Sequence, residues 1–187
     1  MIVFLISGYK GSGKDYFAEK LSNYLKNKNK TVKTYHFAEP LKEIVTKLLD
    51  IDIQDLERLK RTDELVYKNY TMRRLLQVLG TDILQKVFGK EIFANSIVNT
   101  FEDTDFAIIP DLRFLHEYRV ISSKFKTITI EIKGLESTDT HPSEDLKALE
   151  HNIKYDYVFN NIDKNGYASN LKIKDFCDTI FKNAEEL

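Results

Sequence analysis

An apolar run from Ile2 to Ser7 passes without a break into Gly8-Tyr9-Lys10-Gly11-Ser12-Gly13-Lys14-Asp15. From Asp15 to Lys26 the residues Phe17, Leu21, Tyr24 and Leu25 then recur at helical spacing. No other stretch limits the fold as strongly. A continuous, non-alternating apolar strand is one covered on both faces, the condition of a parallel strand in an α/β sheet. A glycine-rich turn between such a strand and a helix lets successive backbone N–H groups converge on an anion. The helix N-terminus adds its dipole, and Lys14 adds a point charge. The pattern is G-x-x-x-x-G-K, a phosphate loop, with Asp15 where Ser or Thr usually offers a hydroxyl to Mg²⁺. The plain alternative is an ordinary strand-to-helix turn. The strand before it and the amphipathic helix after it argue against that.

The remaining pattern extends the sheet. Thr31 to Phe37, Asp105 to Pro110, Lys126 to Lys133 and Tyr155 to Asn160 read as four further strands, and Leu171 to Phe181 as a closing amphipathic helix. Between Pro40 and Phe101 the periodicity of Leu75, Leu76, Leu79, Ile83, Leu84, Val87 and Phe88 predicts helices almost throughout. Gly134 to Asn152 is polar, carries Pro142, and reads as a mobile excursion with a short helix inside it and few apolar anchors. Strands alternating with helices predict an α/β fold with a parallel sheet, whose ligands bind at the carboxyl ends of the strands. No repeat or linker divides residues 1–187, so one domain is expected.

Bulk properties exclude several classes. A chain of 187 residues with 42% hydrophobic and 30% charged residues can bury one core and is not of disordered composition. A net charge of -1 draws the protein neither to nucleic acid nor to an anionic membrane, so a bound anion needs a local cluster of Lys and Arg. The single cysteine, Cys177, excludes an intrachain disulfide framework, fits a reducing cytoplasm, and sits beside Phe176 and Ile180 as a core residue would. The apolar opening is shorter than the roughly 7–15 residues of a secretory core or the about 20 of a membrane span. His36, His116, His141 and His151 have no metal-ligand spacing with Cys177.

Six segments in order resemble the phage-type deoxynucleoside-monophosphate kinase family. They are Ser12-Gly13-Lys14-Asp15, Phe37-Ala38-Glu39-Pro40-Leu41-Lys42, Arg73 to Asp82, Pro110-Asp111-Leu112-Arg113-Phe114 with Glu117, His141-Pro142-Ser143-Glu144, and Val158-Phe159-Asn160-Asn161. The resemblance implies a five-stranded parallel sheet in the order 2-3-1-4-5, the first strand central and helices on both faces. It implies a helical acceptor-binding region at about 38–101 and a lid at about 134–152. The expected activity is Mg²⁺-assisted transfer of phosphate from ATP to a deoxynucleoside monophosphate. The expected partners are small nucleotides, not a nucleic-acid polymer or a membrane, with room for a homodimer. The expected place is the cytoplasm, that of the host if the chain is virus-encoded.

Phosphoryl transfer needs two nucleotides in line, a metal, and cations around the moving group. Gly8, Lys10, Gly11, Ser12, Gly13, Lys14 and Asp15 are the candidates for the donor phosphates. Asp15 is either a metal ligand or an acid complementing the helix dipole. Asp111, closing an apolar strand, is a candidate Mg²⁺ ligand or else a helix cap. Arg113, at the same rim, suits a phosphate because its guanidinium makes paired bonds; a surface ion pair with Glu117 is its alternative. Lys14, Asp111 and Arg113 form the candidate catalytic set.

Arg73 and Arg74 point about 100° apart on a helix, so only one can face a given phosphate. Arg73 is preferred because Gln77 lies one turn away and could read the acceptor base or sugar. Gln77 can equally be a surface amide. Phe37 stacks on a base or packs in the core; Lys42 supports the acceptor phosphate or is simply solvated. His141 and Ser143 are lid candidates expected to order when nucleotides bind. Two other functions fit parts of this pattern. One is another small-molecule kinase with a phosphate loop, acting on a metabolite such as phosphomevalonate. The other is a non-enzymatic nucleotide switch, which should carry a guanine-reading N-K-x-D motif that is absent here.

Overall fold

The computed structural model describes residues 1–9, 11–134, 146–163 and 166–186. The chain divides into two compact units, residues 1–36 with 100–187, and Phe37–Asn99.

The first unit is built on β1 (Ile2–Ser7), β2 (Val32–Thr34), β5 (Phe106–Ile109), β6 (Lys126–Lys133) and β7 (Tyr157–Asn160). These pair in parallel in the order β2-β5-β1-β6-β7, which is 2-3-1-4-5 when the sheet strands are counted along the chain. The first strand is central, as the resemblance implied. Val3 lies opposite Ala107 on one side and Thr127 on the other. Helix α1 (Lys14–Asn27) and helix α9 (Asn170–Glu185) place Phe17, Leu21, Leu25, Ile173, Cys177 and Ile180 in one core with Phe4, Ile6, Ile108 and Ile130. Val3, Leu5, Ala107 and Ile109, of the opposite parity, are just as buried, and helix α7 (Leu115–Ser122) packs on β6. Two covered faces explain the unbroken apolar runs, each large side chain contributing about 1.5–3 kcal/mol of burial.

Two expectations about this unit change in detail. The second strand stops at Thr34, although Tyr35 still donates its N–H to Ile108 O at 2.9 Å. Within the expected excursion, residues 135–145, including His141 and Ser143, lie outside the described residues. Its end carries more apolar anchors than expected: Leu146, Leu149 and Ile153, in and around α8 (Lys147–Asn152), are buried.

The second unit contains α2 (Glu39–Leu49), α3 (Ile53–Leu59), α4 (Met72–Gln77), a π-helical segment (Val78–Gln85), α5 (Lys86–Phe88) and α6 (Ile92–Val98). Leu41, Val45, Leu56, Leu59, Met72 and Phe93 form its core. It is not helical throughout, because β3 (Leu65–Tyr67) and β4 (Tyr70–Thr71) make an antiparallel hairpin. β-prone Val66, Tyr67, Tyr70 and Thr71 flank the turn, where Lys68 has φ 49. Thr71 then caps α4, its hydroxyl accepting from Arg74 N at 3.3 Å.

Candidate active site

The phosphate loop leaves the carboxyl end of the central strand and enters α1 through Gly13, the N-cap, at φ 88. That backbone is left-handed and strained for any side chain, and an added Cβ would also collide with the Asn161 amide. No side chain caps α1. The positive end of the helix dipole therefore faces the loop without a side-chain cap, as an anion site requires. Ser12 N donates to Tyr9 O at 3.0 Å, and Lys14 Nζ folds back to the same carbonyl at 3.4 Å. Ser7 and Ser12 are fully buried, and neither hydroxyl has a hydrogen-bond partner among the described residues. Gly11 and Asp15 are exposed and Gly8 is half-buried; Lys10 lies outside the described residues.

The loop is held from behind. Asn161, at the end of β7, is buried and donates its side-chain N–H to Ser12 O at 2.8 Å. Gly134, just past β6, comes so close that an added Cβ would lie 2.8 Å from Ser12 Cβ. The sequence reading placed Asn161 in a strand-end motif and gave it no role. Its distance along the chain from Ser12 concealed the contact.

Asp111 and Arg113, both half-buried, follow β5, the neighbour of the central strand. Between them Leu112 is buried and donates its N–H to Ile6 O at 3.1 Å, which ties the turn to the strand that carries the phosphate loop. Glu117, a substrate-binding candidate by the family resemblance, is buried rather than at the surface. Its buried carboxylate reaches back, Oε2 accepting from Arg113 N at 2.9 Å and Phe114 N at 3.0 Å. This is half of a capping box, since Phe114 offers no side-chain acceptor in return. Burial pushes the Glu117 carboxyl up to about 8 and the charge of Asp111 adds to the rise, while the two backbone N–H groups oppose it. Glu117 thus shapes the Asp111–Arg113 turn from beneath.

The other candidates lie in the second unit. Phe37 is buried, leaving little ring surface for a base. Lys42 Nζ sits 2.7 Å from Glu57 Oε1, so a phosphate would have to compete with that carboxylate for it. Arg74 is exposed and 3.9 Å from Asp82, whereas Arg73 and Gln77 are half-buried on α4. Arg74 thus faces an acid at the exposed surface.

A family model described as deoxynucleotide monophosphate kinase matches residues 46–174, more than half of the chain. A protein of Acanthamoeba polyphaga mimivirus, provisionally named a deoxynucleotide monophosphate kinase, is 30% identical over 179 residues, covering 86% of this chain and 89% of that one. The deoxynucleotide monophosphate kinase of Escherichia phage RB69 is 29% identical over 100 residues, half of this chain and 41% of the phage protein. A solved shikimate kinase from Aquifex aeolicus covers 98% of both chains with a TM-score of 0.44 and 14% identity, a likeness too loose to carry an argument. Among the described residues no helix is long and apolar enough to cross a membrane. The chain belongs to the deoxynucleotide monophosphate kinase family, a family of phosphotransferases.

Proposed function

We propose that this protein transfers the terminal phosphoryl group of ATP to a deoxynucleoside monophosphate, giving the diphosphate, with Mg²⁺ assisting. The observation that carries this reading is the uncapped N-terminus of α1 behind a loop with positive φ at Gly11 and Gly13, beside Lys14, at the end of the central strand. Backbone N–H groups and Lys14 bind the donor phosphates, where fixed charge is worth more than water could supply. Arg113, on the neighbouring strand end, meets negative charge that grows during transfer. Asp111 is the residue suited to hold Mg²⁺, with Asp15 a second candidate; the ion, when bound, neutralises charge on the donor phosphates. Among the described residues no cluster of three or more His, Cys, Asp or Glu forms a metal cage. That fits Mg²⁺, which is held by one or two carboxylates together with substrate phosphates and water.

We assign the acceptor to the unit Phe37–Asn99, with Arg73 on its phosphate and Gln77 on its base or sugar. The test is a coupled ADP-release assay with ATP and a panel of ribo- and deoxynucleoside monophosphates. Turnover is expected on deoxynucleotides such as dTMP or dGMP. No turnover on any nucleoside monophosphate, with activity on another phosphorylated metabolite, would overturn the reading.

A further inference from the structure

Asn161 makes three bonds to three segments around the phosphate loop. Its backbone N–H donates to Lys133 O at 2.9 Å at the exit of β6, and its carbonyl accepts from Ala168 N at 2.9 Å where the chain returns toward α9. Its side-chain amide donates to Ser12 O at 2.8 Å. The residue is only 3% exposed, so the amide is fixed by the sheet rather than by solvent. A trans peptide is planar, and its C=O and N–H point in opposite directions. Holding the Ser12 carbonyl toward Asn161 therefore turns the N–H of Gly13 away from it, toward the opposite side of the loop. Gly13 is the only residue that tolerates this arrangement, since its φ is 88 and any Cβ would strike the Asn161 amide.

We propose that Asn161 is a positioning residue for the donor phosphates: by fixing the Ser12 carbonyl it aims the Gly13 N–H at a phosphate oxygen. This rests on the phosphate-loop reading above. Without the Asn161 donor, the Ser12–Gly13 peptide can rotate, and one donor of the anion site is lost part of the time. With a carboxylate in its place, two oxygens face each other and the peptide is driven out of position.

Calorimetric titration of ATP into the wild type and the N161A and N161D variants tests this, together with steady-state kinetics. The Kd and KM for ATP should rise about tenfold in N161A, the scale of one lost hydrogen bond, and further in N161D. The acceptor KM should stay near the wild-type value. Variants that melt lower yet bind ATP as tightly as the wild type would reduce Asn161 to a structural residue and overturn the proposal. If the variants do not fold, the ¹⁵N-labelled wild type decides. The Gly13 amide resonance should move strongly downfield on adding inorganic tripolyphosphate, and a Gly13 amide that stays put while neighbouring loop amides respond would also overturn it. A wild type that binds neither ATP nor tripolyphosphate would instead refute the phosphate-loop function itself.

Discussion

Glu117 in the first unit and Glu57 in the second are both drawn out of water, and their surroundings treat them in opposite ways. Glu117 is buried beneath the Asp111–Arg113 turn and held by two backbone N–H groups. Burial dominates, so its carboxyl is raised to about 8 and it is largely protonated at neutral pH. At Glu57 burial also pushes upward, but hydrogen bonds and charge from Lys42 and Lys60, at 2.7 and 2.9 Å, outweigh it and the carboxyl stays below its ordinary value. Backbone N–H groups alone do not offset burial at Glu117, whereas two lysine charges do so at Glu57, and that difference in partner sets the sign of each shift.

The largest effect that could break this contrast is at Lys14. Lys14→Ala should cost on the order of 10²–10³-fold in kcat with ATP, the scale of other electrostatic stabilisers. The melting temperature should change little, because Lys14 is not a core residue and its Nζ bond to Tyr9 O, within its own loop, is long at 3.4 Å. Steady-state rates and a thermal melt check both. A variant with wild-type rates would move the donor site elsewhere.

Next in size is the pH dependence of stability. A carboxyl with a raised folded-state value favours folding fully below its unfolded value near 4.5, and that contribution is lost as pH climbs toward 8. Across this window each pH unit climbed should take up to about 1.4 kcal/mol from the fold, until Glu117 ionises in the folded state as well. Glu117→Gln keeps an oxygen for the two N–H groups and should flatten the fall, as followed by denaturant titrations from pH 4.5 to 8. Glu57 runs the other way, stabilising above its unfolded value and losing the contribution as pH falls through its lowered one. Glu57→Gln should flatten only the acid limb, by less than about 1 kcal/mol for a partly exposed pair.

The smallest test separates the two arginines by unit. Arg73→Ala should raise the acceptor KM about tenfold with kcat little changed, as expected of binding shared by ground and transition states. Arg113→Ala should mainly lower kcat. If neither parameter responds to either change, the acceptor has been assigned to the wrong surface.

The middle of the sheet was legible because β1 and β5 are buried on both faces and read as unbroken apolar runs, while β6 showed itself by the alternation of Ile128, Ile130 and Ile132. The hairpin at Leu65–Thr71 was not read, because Leu65 and Tyr67 face solvent and the three-residue strand leaves no apolar run. Its signal was present in Val66-Tyr67 and Tyr70-Thr71 around Lys68-Asn69. The π-helical segment at Val78–Gln85 had no sequence signal distinct from an α-helix, because apolar periodicity does not distinguish the two. Glu117 reaches back only three and four residues, but the role of Asn161 depends on where a backbone group of another segment lies. For Asn161 the partner is 149 positions away, a relation that no local pattern encodes.

The central place of β1 has a kinetic consequence. Its neighbours on both sides, β5 and β6, begin about a hundred residues further along the chain, so β1 has no partner until they arrive. Closing such long loops loses entropy before any contact compensates for it, which makes parallel pairing of this kind slow. Helix α1 can flicker into being early from its own residues, yet the phosphate loop in front of it cannot take shape until the strand behind it is flanked. The nucleotide site is therefore among the last parts of the molecule to form. During refolding, nucleotide binding should appear together with the slowest phase and not before it.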